Sequence, residues 1–191
     1  MFSSRPVAWR RRWPGFTLIE LLFTLLVAAI LLTTTGPAFM DMVRESRLSS
    51  EINLLLADIH LARMAAIKRN EDVVLCRSAD ASGCDESDGP EADWSDGWIA
   101  YVNPDGDKER DPGERLLLAR GRLPAGMSLR FNQWWRVVFR SDGGARSGTF
   151  TLCDSRGGMH GRALTLYYTG RPRIAATRAD GGPLSCAESS A

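Results

Sequence analysis

Residues 16–32 read FTLIELLFTLLVAAILL, seventeen residues whose only charge is Glu20. No other feature restricts the fold so much. A run that is apolar on every side needs a core, a lipid phase or other helices around it. Seventeen residues are at the short end for a membrane helix, and Thr33–Thr35 extend the run. The flank before it carries Arg5, Arg10, Arg11 and Arg12 and no acid, which predicts a cytoplasmic N-terminus. A cleavable signal peptide is the simplest reading of such a start. Against it, the apolar core is too long, the small-residue cleavage site is missing, and a signal peptide has no use for Glu20. A plain anchor explains the length and leaves Glu20 unexplained. A carboxylate in an apolar span costs about 3 kcal/mol on insertion scales and marks a functional position.

Beyond this segment the pattern changes twice. Gly36-Pro37 is expected to kink or locally melt the helix, because proline lacks an amide hydrogen and crowds the preceding turn. The helix resumes at Ala38 and is expected to reach about Arg69, for a total of roughly 80 Å. Leu48, Ile52, Leu55, Ile59, Ala62 and Ala66 recur at three- and four-residue steps and form one apolar stripe. Arg44, Glu51, Asp58 and Arg69 fall mainly off the stripe, so this half should pack on a sheet. After Asn70 the period becomes alternating. Strands are expected at 72–77, 97–103, 114–120, 127–131, 136–140, 148–154, 162–168 and 172–177, punctuated by Gly, Pro, Asp and Asn. The fold class is α+β: a long helix, half membrane segment and half amphipathic, packed on a head of two antiparallel sheets. The loop 79–96 is acidic and expected to be mobile beyond Cys84.

The four cysteines, Cys76, Cys84, Cys153 and Cys186, lack the close pairs of a zinc site. Three disulfide connectivities are open. Cys76–Cys84 with Cys153–Cys186 is favoured, because each then closes a local loop, worth roughly 2–4 kcal/mol in the chain-entropy model. Disulfides fit the periplasm rather than the cytosol. The formal net charge of +1 hides a partition. Residues 71–115 hold 14 acids against 4 bases, and residues 120–178 hold 11 arginines against Asp142 and Asp154. Two such regions can attract each other, or the basic one can meet a polyanion.

Gly15-Phe16-Thr17-Leu18-Ile19-Glu20 resembles the processing site of type IV pilins and type II secretion pseudopilins. The resemblance implies cleavage after Gly15 by an inner-membrane prepilin peptidase and N-methylation at Phe16. It implies that Glu20 pairs with the terminal amine of a neighbouring subunit during filament assembly. Two charges that are each costly in lipid are stabilised by meeting. The chain then divides into a leader (1–15), a transmembrane helix half (16–36), an amphipathic half (37–70) and a periplasmic head (71–191). Its partners are other pilins, the peptidase and inner-membrane lipid. Cleavage leaves 20 bases and 23 acids, so any basic function must come from local clustering. Trp94-Ser95-Asp96-Gly97-Trp98-Ile99, with Asn103-Pro104-Asp105-Gly106-Asp107 and Gly113-Glu114, resembles the head of GspH/FimT-type minor pilins.

Four sites stand beside blander readings. Asn103, Asp105, Asp107 and Glu114 imitate EF-hand offsets. Lys108 occupies the position that such a loop gives to glycine, and Asx turns in a hairpin connection account for the same residues. Trp94, Trp98, Phe131, Trp134 and Trp135 could stack on bases, although packing is the commoner use, with one of Trp134 and Trp135 facing outward. His60 and His160 have no nucleophile or metal cluster near them in sequence, and no enzyme or cofactor is expected. The most informative site is Gly170-Arg171-Pro172-Arg173. Gly170 permits a positive-φ turn. Extended backbone would project Arg171 and Arg173 to one side about 7 Å apart, close to the phosphate spacing along a nucleic-acid strand. Arg178, Arg162 and Arg156 are expected to extend the patch. The GRxR pattern resembles the motif with which FimT-type minor pilins capture extracellular duplex DNA in natural transformation, which would make Arg171 and Arg173 the contacts. The plainer reading is a solvated hairpin tip, or arginines docked on the acidic region. Two alternatives remain for the chain as a whole: a type II secretion pseudopilin of the H type, and a minor pilin that only primes pilus assembly. Neither needs the two arginines.

Overall fold

The computed structural model describes residues 15–86, 92–107, 109–177, 182 and 184–186. The chain forms two compact units that divide between Met42 and Val43. One helix, α1 (Leu18–Arg69), contributes to both.

The first unit holds the apolar half of α1. Thr17 caps it: its Oγ1 accepts the Glu20 amide at 3.3 Å, which places Glu20 in the first helical turn. Every described side chain from Phe16 to Thr33 is exposed. The helix runs through Gly36 and Pro37 without a break, so the local melting expected there does not occur. Proline forgoes one amide hydrogen bond there, and the flanking turns keep theirs. Among the described residues no helix is long and apolar enough to cross a membrane.

The second unit holds the other half of α1 and nine strands. These are β1 (Asp72–Arg77), β2 (Ala92–Asp93), β3 (Trp98–Asn103), β4 (Leu116–Arg120), β5 (Ser128–Phe131), β6 (Arg136–Phe139), β7 (Gly148–Cys153), β8 (Arg162–Leu166) and β9 (Pro172–Ala175). They form two antiparallel sheets, in the orders β4-β3-β1-β6 and β2-β5-β7-β8-β9. Eight strands fall where alternation placed them, within two residues at each end. The ninth, β2, lies in the loop expected to be mobile. Its Ala92 pairs with Phe131, and Trp94 beside it is fully buried. The helix ends where Asn70 takes a left-handed φ of 56° and the Glu71 amide bonds back to the Ala66 carbonyl.

The stripe read from the sequence is the buried face of the helix. Leu48, Ile52, Leu55, Ile59, Ala62 and Ala66 are each at most 2% exposed and join strands of both sheets in one core cluster. Each buried Leu or Ile contributes about 1.5–3 kcal/mol. Trp94, Phe131 and Phe150 pack as one group, with Phe131 and Phe150 stacked at 4.1 Å and Trp94 edge-on to both. Trp98 and Trp135 are buried and Trp134 faces out, as expected of the aromatic set.

Both disulfides form with the favoured pairing. In register, Cys76 opposes Ile99 and Arg77 opposes Trp98. Trp98 reaches the helix, so Cys76 points to the other face of the sheet. The Cys76–Cys84 bridge therefore folds residues 78–86 over that second face, and all six residues of β3 are buried.

One expectation fails on the helix. Asp58, placed off the stripe, is 1% exposed. Arg120 of β4 clasps it with two hydrogen bonds of 2.9 Å, and the Trp98 indole donates a third at 3.0 Å. The Asp58 bond raises the Arg120 guanidinium further above its ordinary value. Arg120→Met should leave a buried, under-compensated carboxylate. Breaking a buried pair costs about 3–5 kcal/mol. The Arg120 side chain is 39% exposed, so solvent screening reduces the expected loss to about 2 kcal/mol. That corresponds to a fall of about 4–8 °C in Tm. Adding Asp58→Leu should recover most of the loss, and thermal unfolding of the single and double variants checks both statements.

Candidate functional site

Strands β8 and β9 form a hairpin at the edge of the five-stranded sheet. The turn closes with the Gly170 amide on the Tyr167 carbonyl at 2.8 Å and the Tyr167 amide on the Arg171 carbonyl at 3.1 Å. Pro172 opens β9, the edge strand, where a missing amide is tolerated. Exposure alternates as predicted: Arg171 and Arg173 are exposed, Pro172 and Ile174 half-buried.

Register decides which side the arginines take. Leu164, fully buried, opposes Ile174, so Ile174 is on the core face. Arg173 opposes Thr165 and is on the outer face, together with Arg171. Thr165 meets Thr149 across β7 at 3.3 Å between hydroxyls. The outer face of this edge is thus polar and basic, and Tyr167 joins it by the same alternation.

The turn is held from below. Gly170 is buried with φ +70°, and a Cβ there would collide with the Gly143 carbonyl and crowd Arg63. Arg63 of α1 donates from Nε to the Gly143 carbonyl at 3.0 Å. The Ala145 amide bonds the Tyr168 carbonyl at 3.1 Å. The β6–β7 connection therefore braces the hairpin and brings Arg146 beside it. Tyr168, at the tip, is 75% exposed. Arg146 and Tyr168 were not singled out by sequence pattern, because the contact that gathers them is between loops far apart in the chain.

Arg162 and Arg156 stand elsewhere. Arg162 shares the core-side face of β8 with Leu164, and its guanidinium pairs with Glu45 of α1. Arg156 pairs with Asp154 at 2.7 Å and with Glu45 at 3.5 Å. Burial pushes the Asp154 carboxyl up, but hydrogen bonds from Arg156 outweigh it and hold the group below its ordinary value. The two arginines expected to extend the patch are thus structural and on the opposite face. Arg178 lies outside the described residues, as does most of the 1–15 leader. Among the described residues, no carboxylate pairs with Arg146, Arg171 or Arg173.

The other candidates are dispersed. His60 and His160 are exposed, and among the described residues neither belongs to a cluster of three or more metal-ligating side chains. Phe16 is 82% exposed, and Gly15 and Glu20 are exposed in the first unit. Asp105, Asp107 and Asp111 gather in the β3–β4 loop.

A helix whose second half packs on two antiparallel sheets is the fold of a type IV pilin. The model of the family described as type II transport protein GspH matches residues 51–170, more than half of the chain. The chain belongs to this GspH/FimT-like family of minor pilins and pseudopilins, a class of structural subunits rather than enzymes. Two crystal forms of the type IV minor pilin FimU of Pseudomonas aeruginosa share the fold. One is 20% identical, with a TM-score of 0.51 over 76% of this chain and 99% of FimU. The other is 18% identical, with a TM-score of 0.50 over 67% and 92%. No curated protein matches the chain significantly. The family match ends at Gly170, immediately before the two exposed arginines.

Gly170→Ala should test whether the turn sets the arginines. Strain at a positive φ and the collision with Gly143 predict a loss of about 1–3 kcal/mol, read as a fall in Tm. Amide exchange at Tyr167 and Arg171 should accelerate with it. Unchanged exchange and Tm would mean that the turn tolerates a side chain.

Proposed function

We propose that this chain is a minor pilin of a type IV pilus that captures duplex DNA through the β8–β9 hairpin. The observation that carries the reading is the outer face of β9, where Arg171 and Arg173 project side by side without acidic partners among the described residues, with Arg146 at the flank. A guanidinium offers a planar fork of donors that matches phosphate oxygens. Contacts of this kind neutralise phosphates and release counterions, so binding should be weakly sequence-selective and strongly salt-dependent. Tyr168 adds an exposed ring at the tip. At least five of the eleven arginines of residues 120–178 are paired with acids, which sets the exposed arginines of the hairpin apart from them.

The N-terminal part of the proposal rests on the motif around Gly15. Prepilin peptidase cleaves after Gly15, Phe16 becomes the methylated N-terminus, and the apolar half of α1 holds the subunit in the inner membrane with the head in the periplasm. Glu20, capped into the first turn by Thr17, is then within a turn of the new terminus and available to the amine of a neighbouring protomer. The two disulfides agree with an oxidising compartment.

The family description favours a second reading, an H-type pseudopilin of a type II secretion system. That role needs the same leader, Glu20 and head, and makes no use of Arg171 or Arg173. Nearby pilus genes would support the first reading or the priming role, and a secretion operon the second.

The deciding experiment uses a soluble head beginning at Val43, assayed on duplex DNA over a salt series. Arg171→Gln with Arg173→Gln should weaken binding evenly across sequences and reduce the salt slope by about 1–2. Arg162→Gln should leave the slope unchanged. Binding unaffected by the double substitution sinks the DNA role of this hairpin. For the anchor, Glu20→Ala should still be processed while its incorporation into filaments drops. Mass spectrometry of the membrane-extracted chain should find a methylated Phe16 terminus in a host with working peptidase, and an intact leader there refutes the processing scheme.

A further inference from the structure

A row of polar side chains continues from Arg173 across the outer face of the five-stranded sheet. Register places Arg173 of β9 opposite Thr165 of β8, and Thr165 opposite Thr149 of β7. Asn132, one residue beyond β5, extends the row. Its amide donates to the Thr149 carbonyl at 3.1 Å, and its Oδ1 accepts the Thr149 amide at 2.7 Å. Neighbouring strands are about 4.8 Å apart, so the row runs roughly 14 Å from Arg173 to Asn132. Arg173 and Asn132 are exposed, and the two threonines are half-buried.

The row is built to donate. The Thr149 and Thr165 hydroxyls meet at 3.3 Å, so one donates to the other and the second keeps its proton for a partner. A backbone amide already occupies Asn132 Oδ1, which fixes the side chain and leaves its Nδ2 as a donor. The row is also firmly seated. The adjacent row on the core side is Phe131, Phe150, Leu164 and Ile174, of which the first three are fully buried and the two phenylalanines stack.

The rest of the outer face is closed or of another character. Cys153, on this face by alternation, is tied to Cys186, and Leu184 leaves no room for a side chain on Gly158. Ala163, also on this face, has no exposure. Among the described strand residues of the face the acid is Asp93, which sits in the next row opposite Arg130. The open part is therefore the row that Arg173 begins.

We propose that Thr165, Thr149 and Asn132 extend the duplex-DNA interface from the hairpin across the sheet, donating to phosphate oxygens beyond those met by Arg171 and Arg173. The inference rests on the reading of the hairpin as a DNA site. Phosphate oxygens only accept, and hydroxyl and amide side chains supply many of the hydrogen bonds that seat a protein on a duplex. A row of roughly 14 Å exceeds the major-groove width of about 12 Å, so it reaches the second backbone of a duplex held at β9. Uncharged donors neutralise no phosphate and release no counterions. Their contribution is thus separable from that of the arginines by its salt dependence.

The test uses the full chain in detergent and a labelled mixed-sequence duplex, titrated between about 50 and 200 mM salt. Thr149→Val with Thr165→Val removes both hydroxyls at nearly constant shape. It should weaken binding about five- to tenfold at every salt concentration, with the salt slope unchanged. Asn132→Lys should tighten binding and raise the slope by about 1, whereas Ala119→Lys, exposed on β4 of the other sheet, should move it by less than about 0.3. Binding by the threonine variant within about twofold of the unsubstituted chain, or equal slopes for the two lysine variants, overturns the extension. If Arg171→Gln with Arg173→Gln still weakens binding in that case, the hairpin reading stands without it. Indifference to the arginine substitutions removes both. If the threonine variant fails to fold, the two lysine variants decide alone.

Discussion

Asp58 holds the head together at its most expensive point. A carboxylate at 1% exposure is tolerated only because Arg120 and Trp98 arrive from two neighbouring strands to bond it. Hydrophobic contact would let the helix rotate or slide on the sheet by small steps. Three directed hydrogen bonds to one group do not allow that. They set the register of α1 against β3 and β4, and the remaining contacts of the stripe follow. Glu45 repeats the device against the other sheet through Arg156 and Arg162. The helix is thereby tied to both sheets by acids on its own surface, and the apolar stripe fills the space between the ties.

This arrangement explains where the basic charge goes. The arginine-rich second half of the head looks like a polyanion surface in a linear count. In the fold, Arg120, Arg156 and Arg162 answer acids of the helix, Arg122 answers Asp96 at 2.6 Å, and Arg140 lies 3.6 Å from Asp142. These ion pairs engage five of the eleven arginines of residues 120–178. Arg171 and Arg173, without an acid partner among the described residues, sit on the β8–β9 hairpin, where register and a glycine turn aim them outward. A charge count therefore measures how much charge a fold must place, and only the pairing shows how much is left for a partner.

The parts legible in the sequence are those governed by short-range rules. The stripe from Leu48 to Ala66 follows helical period, and the eight strands follow alternation broken by turn residues. The two disulfides followed loop closure. The parts that were not legible depend on contacts between distant segments. Asp58 reads as a surface acid because its partners are 40 and 62 residues away. Ala92–Asp93 is too short to alternate and gains strand geometry only from β5. Arg162 differs from Arg173 in nothing that composition shows. It lies on the core face because register with β9 puts Leu164 opposite Ile174, and a shift of one residue would have exchanged their sides.

The two halves of α1 obey different solvents. From Leu48 onward one face is buried and the other is charged, as a helix on a sheet must be. From Phe16 to Thr33 every described side chain is exposed and nearly all are apolar. Water alone is a poor neighbour for such a surface, which calls for lipid or other helices on all sides. Glu20 then stands out for the opposite reason to Asp58. Asp58 finds its cations within the same chain, from strands that fold back on the helix. For Glu20 the described contact is the Thr17 hydroxyl accepting its amide, and residues 16–43 hold no base. A carboxylate on an otherwise apolar surface is costly in lipid unless a cation meets it. Membership of a family of filament subunits supplies neighbours of the right kind, namely other apolar helices to cover this surface.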